Sequence, residues 1–224
     1  MEATLDQATK ILSLFKNTPV EQVQVILGSG FLADLRDGNI AEVDRDEYRK
    51  ILGLCSLMPK PELLLEYINS ITNPGTTEKF IARDRFAVNT KSDAPVKISY
   101  LGDNFKKWFL GKVEEPFIES ALRYGKLRKP SVDASIIAEL GGEEKAETTL
   151  TELWQALEKQ PNGEKGDLLT NGYANIFYIR DVNGVLRAVR ARWYGDGWSM
   201  RADSAGSPYG WGGGDQVFSR NSVS

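Results

Sequence analysis

The sequence has no histidine, a single cysteine and no long apolar run, and each of these absences excludes a class of protein. Without histidine, the chain lacks the commonest general base and the nitrogen ligand of most zinc sites. The lone Cys55 excludes a framework of internal disulfides. No apolar stretch is long enough to span a bilayer. These absences argue against zinc enzymes, histidine-based triads, disulfide scaffolds and membrane-spanning proteins.

The charge balance and the first residues bear on partners and location. With 28 basic and 31 acidic residues the formal net charge is −3, which argues against a nucleic-acid partner. The N-terminal "MEATLDQATK" is polar and acidic, whereas a secretory signal has basic residues followed by an apolar core. We therefore expect a cytoplasmic protein, or one released without a standard signal. We expect no cofactor and no bound metal ion.

What the chain does contain is enough apolar material for one good core, or for one core and a small helical module, because 41% of its 224 residues are hydrophobic. Its first part favours helices. Start signals stand at Thr4, at Pro19 and at Asp44, and "PKPELLLEYINSI" supplies a fourth helix that stops at "NPG". We predict a helical module over residues 1–75, which could also mediate oligomerisation.

Residues 76–224 show a different pattern. "APVKISYLG" and "EKFIARDRFAVNT" favour strands, because β-branched and aromatic residues alternate there with turn formers. Helices are predicted over Val132–Leu140, before Gly141, and after Thr149, which forms a capping box with Glu152. Asn183-Gly184 lies between two β-rich runs and predicts a hairpin. This order of elements is typical of an α+β domain with a small, mostly antiparallel sheet.

The stretch "RARWYGDGWSMRADSAGSPYGWGGGDQVFSRN", Arg190 to Asn221, sets three tryptophans among glycines and charges. Because strand residues alternate between faces, one face collects the apolar residues. These are Val185, Val189, Ala191, Trp193, Trp198, Met200 and Ala202. The opposite face collects Arg190, Arg192, Ser199, Arg201 and Asp203. We predict that Trp193 and Trp198 are largely buried while the polar residues share one exposed face.

The composition of that polar set is typical of binding surfaces. Arginine and tyrosine give contact area, and serine, aspartate and glycine give adaptable hydrogen bonding. From Ala205 to Gly214 the alternation stops in a glycine-rich loop, and "QVFSRN" predicts a last strand. The same composition also occurs on ordinary solvent-exposed strands and loops, so both interpretations stay open on composition alone.

The segments "LLTNGYANIFYIRDVNGVLRAVRARW", "DGWSMRADS", "YGWGGGDQVFSRN" and "GDNFKKWFLGKVEEP" resemble the variable proteins of diversity-generating retroelements. The framework residues of that group match Trp193, Gly197, Trp198, Ala202, Pro208, Trp211 and 217–221. The resemblance implies a C-type lectin-like domain over 76–224, with a variable region at about 187–221 that binds ligands. The Glu-Pro-Asn and Gln-Pro-Asp motifs of calcium-dependent lectins are missing, so such sugar binding is not expected.

In these systems a reverse transcriptase misreads template adenines, so that an AAY codon becomes an NNY codon. Tryptophan, methionine and glutamine are not encoded by NNY, and here they fall at framework-like positions. The residues between them all belong to the NNY-encodable set and form the candidate ligand-binding site. They are Arg190, Arg192, Tyr194, Gly195, Asp196, Ser199, Arg201, Asp203, Gly206, Tyr209, Gly210, Gly212, Gly213 and Asp215.

The sequence thus predicts a non-enzymatic target-recognition protein whose variable face binds an unknown protein or cell-surface ligand. The alternative is an enzyme or toxin-like effector that uses the glycine-rich loop as a substrate cleft, with Asp196, Arg201 or Asp215 supplying the chemistry. A third hypothesis is an assembly protein that oligomerises through the helical module. The identity of the ligand is not encoded in any of these patterns.

Overall fold

The structure is a computed structural model that describes residues 9, 13, 15–30, 33, 37, 63–207 and 210–220. It divides into two compact units, Met1–Pro61 and Glu62–Ser224. In the first unit, helix α1 (Val20–Gly28) begins after Pro19, as predicted, but none of its residues is buried. The predicted helix starts at Thr4 and Asp44 lie outside the described residues. No helix in the described part of the chain is long and apolar enough to cross a membrane.

A mixed sheet of eight strands organises the second unit. The strands of the unit are β1 (Leu65–Asn73), β2 (Phe80–Ile81), β3 (Ile98–Leu101), β4 (Val113–Glu114), β5 (Ser120–Leu127), β6 (Glu147–Thr148), β7 (Asn175–Arg180), β8 (Leu186–Tyr194), β9 (Gly197–Ser204) and β10 (Gln216–Ser219). The large sheet has the order β1-β5-β10-β7-β8-β9-β3, with β6 beside β7, while β2 and β4 form a separate pair. Three of its pairings are parallel: β10 with β7, β3 with β9, and β6 with β7.

Five short helices accompany the sheet in the described part of this unit. They are α2 (Ala82–Arg85), α3 (Asp103–Phe109), α4 (Asp133–Glu139), α5 (Glu143–Ala146) and α6 (Leu150–Glu158). Two helix predictions are confirmed. Gly141 follows α4 with a φ of +90°, which favours glycine. At α6 both bonds of the capping box between Thr149 and Glu152 are present.

Two hydrophobic clusters form the core of the sheet unit. The first cluster includes Phe86, Phe105, Trp154 and Trp198, and the second includes Ile136, Leu127 and Trp211. Successive residues of β7 alternate between them, with Phe177 and Ile179 in the first and Ile176 and Tyr178 in the second. Apolar packing on both faces of β7 explains the uninterrupted apolar run "IFYI".

The predicted fold class is wrong. The sequence predicts a helical module and a lectin-like domain that has a small, mostly antiparallel sheet. The structure has instead a large mixed sheet with short helices, and no helical N-terminal module is evident in the described residues. From Leu65 onward the predicted fourth helix is strand β1, which pairs with β5, and its first residues, 59–62, lie outside the described residues. Leucine and glutamate favour helix locally, but Ile68, Ile71 and Thr72 are β-branched, and hydrogen bonding to a distant strand overrides the local preference.

The segment "EKFIARDRFAVNT" is a second correction. Only Phe80–Ile81 is a strand, and the one-turn helix α2 follows it directly. This turn places Ala82 and Phe86 four residues apart on one side, and both are buried in the first cluster. The predicted hairpin between β7 and β8 is present, although its positive φ comes from Gly184 and not from Asn183.

Candidate functional site

Strands β8 and β9 form an antiparallel hairpin whose register decides which candidate residues meet. Arg190 lies opposite Arg201, and Arg192 lies opposite Ser199. Directly opposite residues of an antiparallel pair project from the same face of the sheet. We call this the polar face, and its members are Arg190, Arg192, Tyr194, Ser199, Arg201 and Asp203. Six of the fourteen predicted site residues therefore share one side of one hairpin.

The other side of the hairpin belongs to the first hydrophobic cluster. We call it the apolar face, and its members are Val189, Ala191, Trp193, Trp198, Met200 and Ala202. Trp198 is fully buried, and its indole Nε1 donates to the Gln160 carbonyl at 3.0 Å. Trp193 is half-buried and packs edge-on against Trp198, with the ring centroids 5.5 Å apart. The predicted alternation is confirmed for these residues, whereas Val185 precedes β8 and is exposed.

The polar face is recessed, although the sequence predicts an open one. Ser199 is only 6% exposed and Arg190 is half-buried. The loop after β9 explains this difference, because it brings the Trp211 ring to 6.0 Å from the Arg190 guanidinium carbon. A cavity of about 230 Å³ remains on the face. It is lined by Arg190, Arg192, Tyr194, Ser199 and Arg201.

The charges of this cavity are only partly neutralised. Arg190 Nε lies 3.6 Å from an Asp203 carboxylate oxygen, and Arg192 Nη2 lies 3.9 Å from Asp215 Oδ1. Both separations are longer than a normal charge-assisted hydrogen bond. The Nε atoms of Arg190 and Arg192 are buried without a hydrogen-bond partner. Burial lowers the pKa of Arg190, the carboxylate of Asp203 opposes this, and the neighbouring arginines add to it.

A second cavity of about 240 Å³ adjoins the same two arginines. It is lined by Asp133, Arg190, Arg192, Asp203, Ser207, Gly210, Trp211, Gly212 and Asp215. The two cavities share Arg190 and Arg192. The first has arginines as its only charged lining residues among those described, whereas the second also contains carboxylates. The structure thus brings nine of the predicted residues to these two adjoining cavities.

Asp133 is a residue of this region that the sequence pattern does not reveal. Its Oδ1 accepts hydrogen bonds from Trp211 Nε1 at 2.6 Å and from the Tyr178 hydroxyl at 2.8 Å. Burial raises the pKa of Asp133, the two hydrogen bonds oppose that shift, and Asp203 adds to it. In the sequence, Asp133 is recognisable only as an acidic residue in the first turn of a predicted helix. Its partners lie 45 and 78 positions away, so no local signal predicts the contact.

Asp215 is one of the predicted ligand-binding residues, but it is not exposed as that prediction requires. Its side chain is buried, and its two oxygens accept hydrogen bonds from the backbone amides of Ala174 and Gly212, at 2.8 and 2.9 Å. These bonds fix the glycine-rich loop next to β7. The cavity that includes Arg201 is not lined by Asp215, and Asp196 lines neither cavity. The three side chains named for an enzymatic alternative are therefore not gathered around one cavity of this face.

The remaining candidates lie at the turn and in the loop. Gly195 and Asp196 form the exposed turn between β8 and β9, where Gly195 has a φ of +61°. Gly206 is exposed, and Gly213 is half-buried close to the backbone of Lys129. Tyr209 lies outside the described residues, as do the framework positions Pro208 and Asn221.

No protein-family model, no curated protein and no solved structure matches this chain. Within the described ranges, no three acidic or cysteine side chains are grouped so that they could hold a metal ion. The side chains of the site offer guanidinium donors, one serine hydroxyl, a tyrosine ring and the adjoining carboxylates.

Proposed function

We propose that this protein is a non-enzymatic target-recognition protein, and that the polar face of β8 and β9 binds a protein or a cell-surface ligand. The observation that carries the proposal is the cross-strand register. It puts Arg190 beside Arg201 and Arg192 beside Ser199, while Trp198 and Met200 on the other side belong to the core. One hairpin thus combines a buried support with a cluster of polar side chains around a cavity.

The hydrogen bonding of the polar face supports a binding role. A buried N–H without a partner is unfavourable, and native proteins keep few of them. Two of these atoms, the Nε atoms of Arg190 and Arg192, belong to this one face. A ligand that accepts hydrogen bonds from these two N–H groups gains binding free energy, because no bonds from the same groups to water have to be broken. The other buried side-chain atoms without a partner in the described residues belong to Asn73 and Gln155, away from this face.

We further propose that the side chains of the polar face are exchanged by a diversity-generating retroelement. The separation of the two faces supports this, because Arg192 and Arg201 belong to neither hydrophobic cluster. The loop is supported independently, since the buried Trp211 is held by Asp133 and by backbone bonds to Ser131. Exchangeable and fixed positions can therefore alternate along the chain without loss of the sheet.

The gene locus provides the test. We expect a nearby, nearly identical template repeat that differs from the segment for residues 187–221 only at template adenines. The mismatches should fall in codons of the polar face and the loop, and the codons for Trp193, Trp198 and Trp211 should be identical in both copies and serve as the internal control. Mismatches spread over all four bases, or concentrated in the tryptophan codons, would contradict diversification.

A further inference from the structure

We infer that the cavity lined by Arg190, Arg192, Ser199 and Arg201 binds an oxyanion, namely a phosphate or carboxylate group of the target. This inference rests on the proposed function and specifies the chemical class of the group that the polar face accepts. Three arginines line the cavity, and none of the five described residues that line it is acidic. The wall of the cavity therefore presents only positive charge to whatever enters it.

The carboxylates nearby neutralise that charge only in part. Asp203 and Asp215 line the adjoining cavity, which shares Arg190 and Arg192, and Asp203 lies 3.6 Å from Arg190 Nε. Asp215 is already engaged by two backbone amides, and its contact with Arg192 is 3.9 Å long. Arg201 has no acid within salt-bridge distance among the described residues and packs over the Tyr100 ring, 5.1 Å from its centroid. An incoming anion would consequently be the closest counter-charge for Arg201.

The unpartnered donors indicate how the anion is held. The guanidinium group presents several N–H donors in a fixed fork that matches two oxygens of a carboxylate or phosphate. Arg190 and Arg192 each have a buried Nε without a partner, and Ser199 adds a hydroxyl at the same cavity. An oxyanion with two or more acceptor oxygens can bind the guanidinium groups and this hydroxyl together, which chloride and neutral hydroxyl ligands do less well.

The cavity is large enough for the proposed group. Its volume of about 230 Å³ accommodates a phosphate or the carboxylate of an acidic side chain. Tyr194 lies at this cavity with its side chain exposed and can contact the part of the target that carries the anion. The recess therefore corresponds to an anchor point within a larger contact surface.

The experiment is a titration of the ¹⁵N-labelled full-length protein, monitored through the arginine Nε–H signals. Inorganic phosphate and acetate are added separately, with the ionic strength held constant by sodium chloride. We expect saturable shifts of the Arg190 and Arg192 signals with at least one of the two anions. Saturation by phosphate alone identifies a phosphoryl-type group, and saturation by acetate alone identifies a carboxylate. Unsaturable or absent shifts with both anions would overturn the inference.

Matched variants complete the test. Arg192→Gln should weaken anion binding by about tenfold or more, because it removes a charge-assisted donor fork. Arg201→Gln should also weaken anion binding. Because this side chain is exposed, misfolding is not expected to account for the loss. Arg85→Gln removes the same charge from the exposed helix α2 and should bind like the parent protein. Equal weakening in all three variants would point to bulk electrostatics and refute the site. The template repeat can exist without anion binding, so the two proposals fail separately.

Discussion

The two faces of the β8–β9 hairpin are built from alternating residues of the same strands, yet they are constrained in opposite ways. On the apolar face, Trp198 and Met200 are fully buried, and the Trp198 indole has its hydrogen-bond partner. On the polar face, Arg190 and Arg192 are half-buried and retain N–H groups without partners. The difference shows that core packing and polar side chains with unused hydrogen-bond donors lie on separate sides of one pair of strands.

The largest effect that tests this comparison is expected from the apolar face. Trp198→Ala removes a fully buried indole and its hydrogen bond to Gln160. We expect a loss of about 3–5 kcal/mol in the free energy of unfolding, measured by urea denaturation. Arg201→Ala, three positions further along β9 and on the other face, is the control. A loss below about 1 kcal/mol for Trp198→Ala would show that the apolar face does not carry the stability of the hairpin.

The next effect concerns the contact that holds the loop over the polar face. Asp133→Ala leaves the Trp211 indole N–H and the Tyr178 hydroxyl without their acceptor. We expect the free energy of unfolding to fall by about 2 kcal/mol, because unsatisfied buried donors are costly. Asp133→Asn keeps an acceptor oxygen and should lose clearly less. Equal losses in the two variants would mean that packing, and not hydrogen bonding, fixes Trp211.

The pH dependence separates charge from hydrogen bonding at the same residue. The pKa of Asp133 is raised in the folded protein, so its protonated form is favoured by folding. Its contribution to stability is therefore largest below the unfolded pKa of about 4 and is lost as the pH rises through the folded pKa. We expect Asp133→Asn to gain stability relative to the parent as the pH is raised from 4 to 7. A constant difference in urea midpoint over that range would contradict the raised pKa.

The smallest effect is expected from the polar face itself. Arg201→Ser should change the free energy of unfolding by about 0.5 kcal/mol or less, because the side chain is exposed. Arg192→Ser should also be tolerated, since it removes a buried N–H that has no partner. Thermal unfolding of both variants provides the measurement. A loss above about 2 kcal/mol in either would show that recognition and stability are not separate on this hairpin.

The local features of this hairpin and of α6 were predictable from the sequence. Alternation needs only neighbouring residues, and it correctly divides β9 into Trp198, Met200 and Ala202 against Ser199 and Arg201. The capping box at Thr149 is equally local. The recessed position of the polar face was not predictable, because it depends on a loop that folds back over the hairpin.

Long-range pairing explains the failures. Strand β1 pairs with β5, whose partner residues lie 47 (Asn73 to Ser120) to 62 (Leu65 to Leu127) positions further along the chain, and nothing within "PKPELLLEYINSI" indicates that partner. The parallel pairs of β10 with β7 and of β3 with β9 likewise join segments that no turn signal connects. The local pattern of an amphipathic segment with mixed propensities therefore predicts a helix. The strand forms because its hydrogen-bond partners come from distant segments in the folded sheet.

The central position of β10 has a consequence for how the protein is made. This strand joins β1 and β5 to the remaining strands of the sheet, and it follows every position of the polar face in the chain. During synthesis β1 and β5 cannot join the other strands of the sheet until β10 (Gln216–Ser219) has been translated. A frameshift or premature stop before β10 deletes the joining strand and leaves the two parts of the sheet unjoined. Completion of the sheet thus depends on translation through the whole polar face.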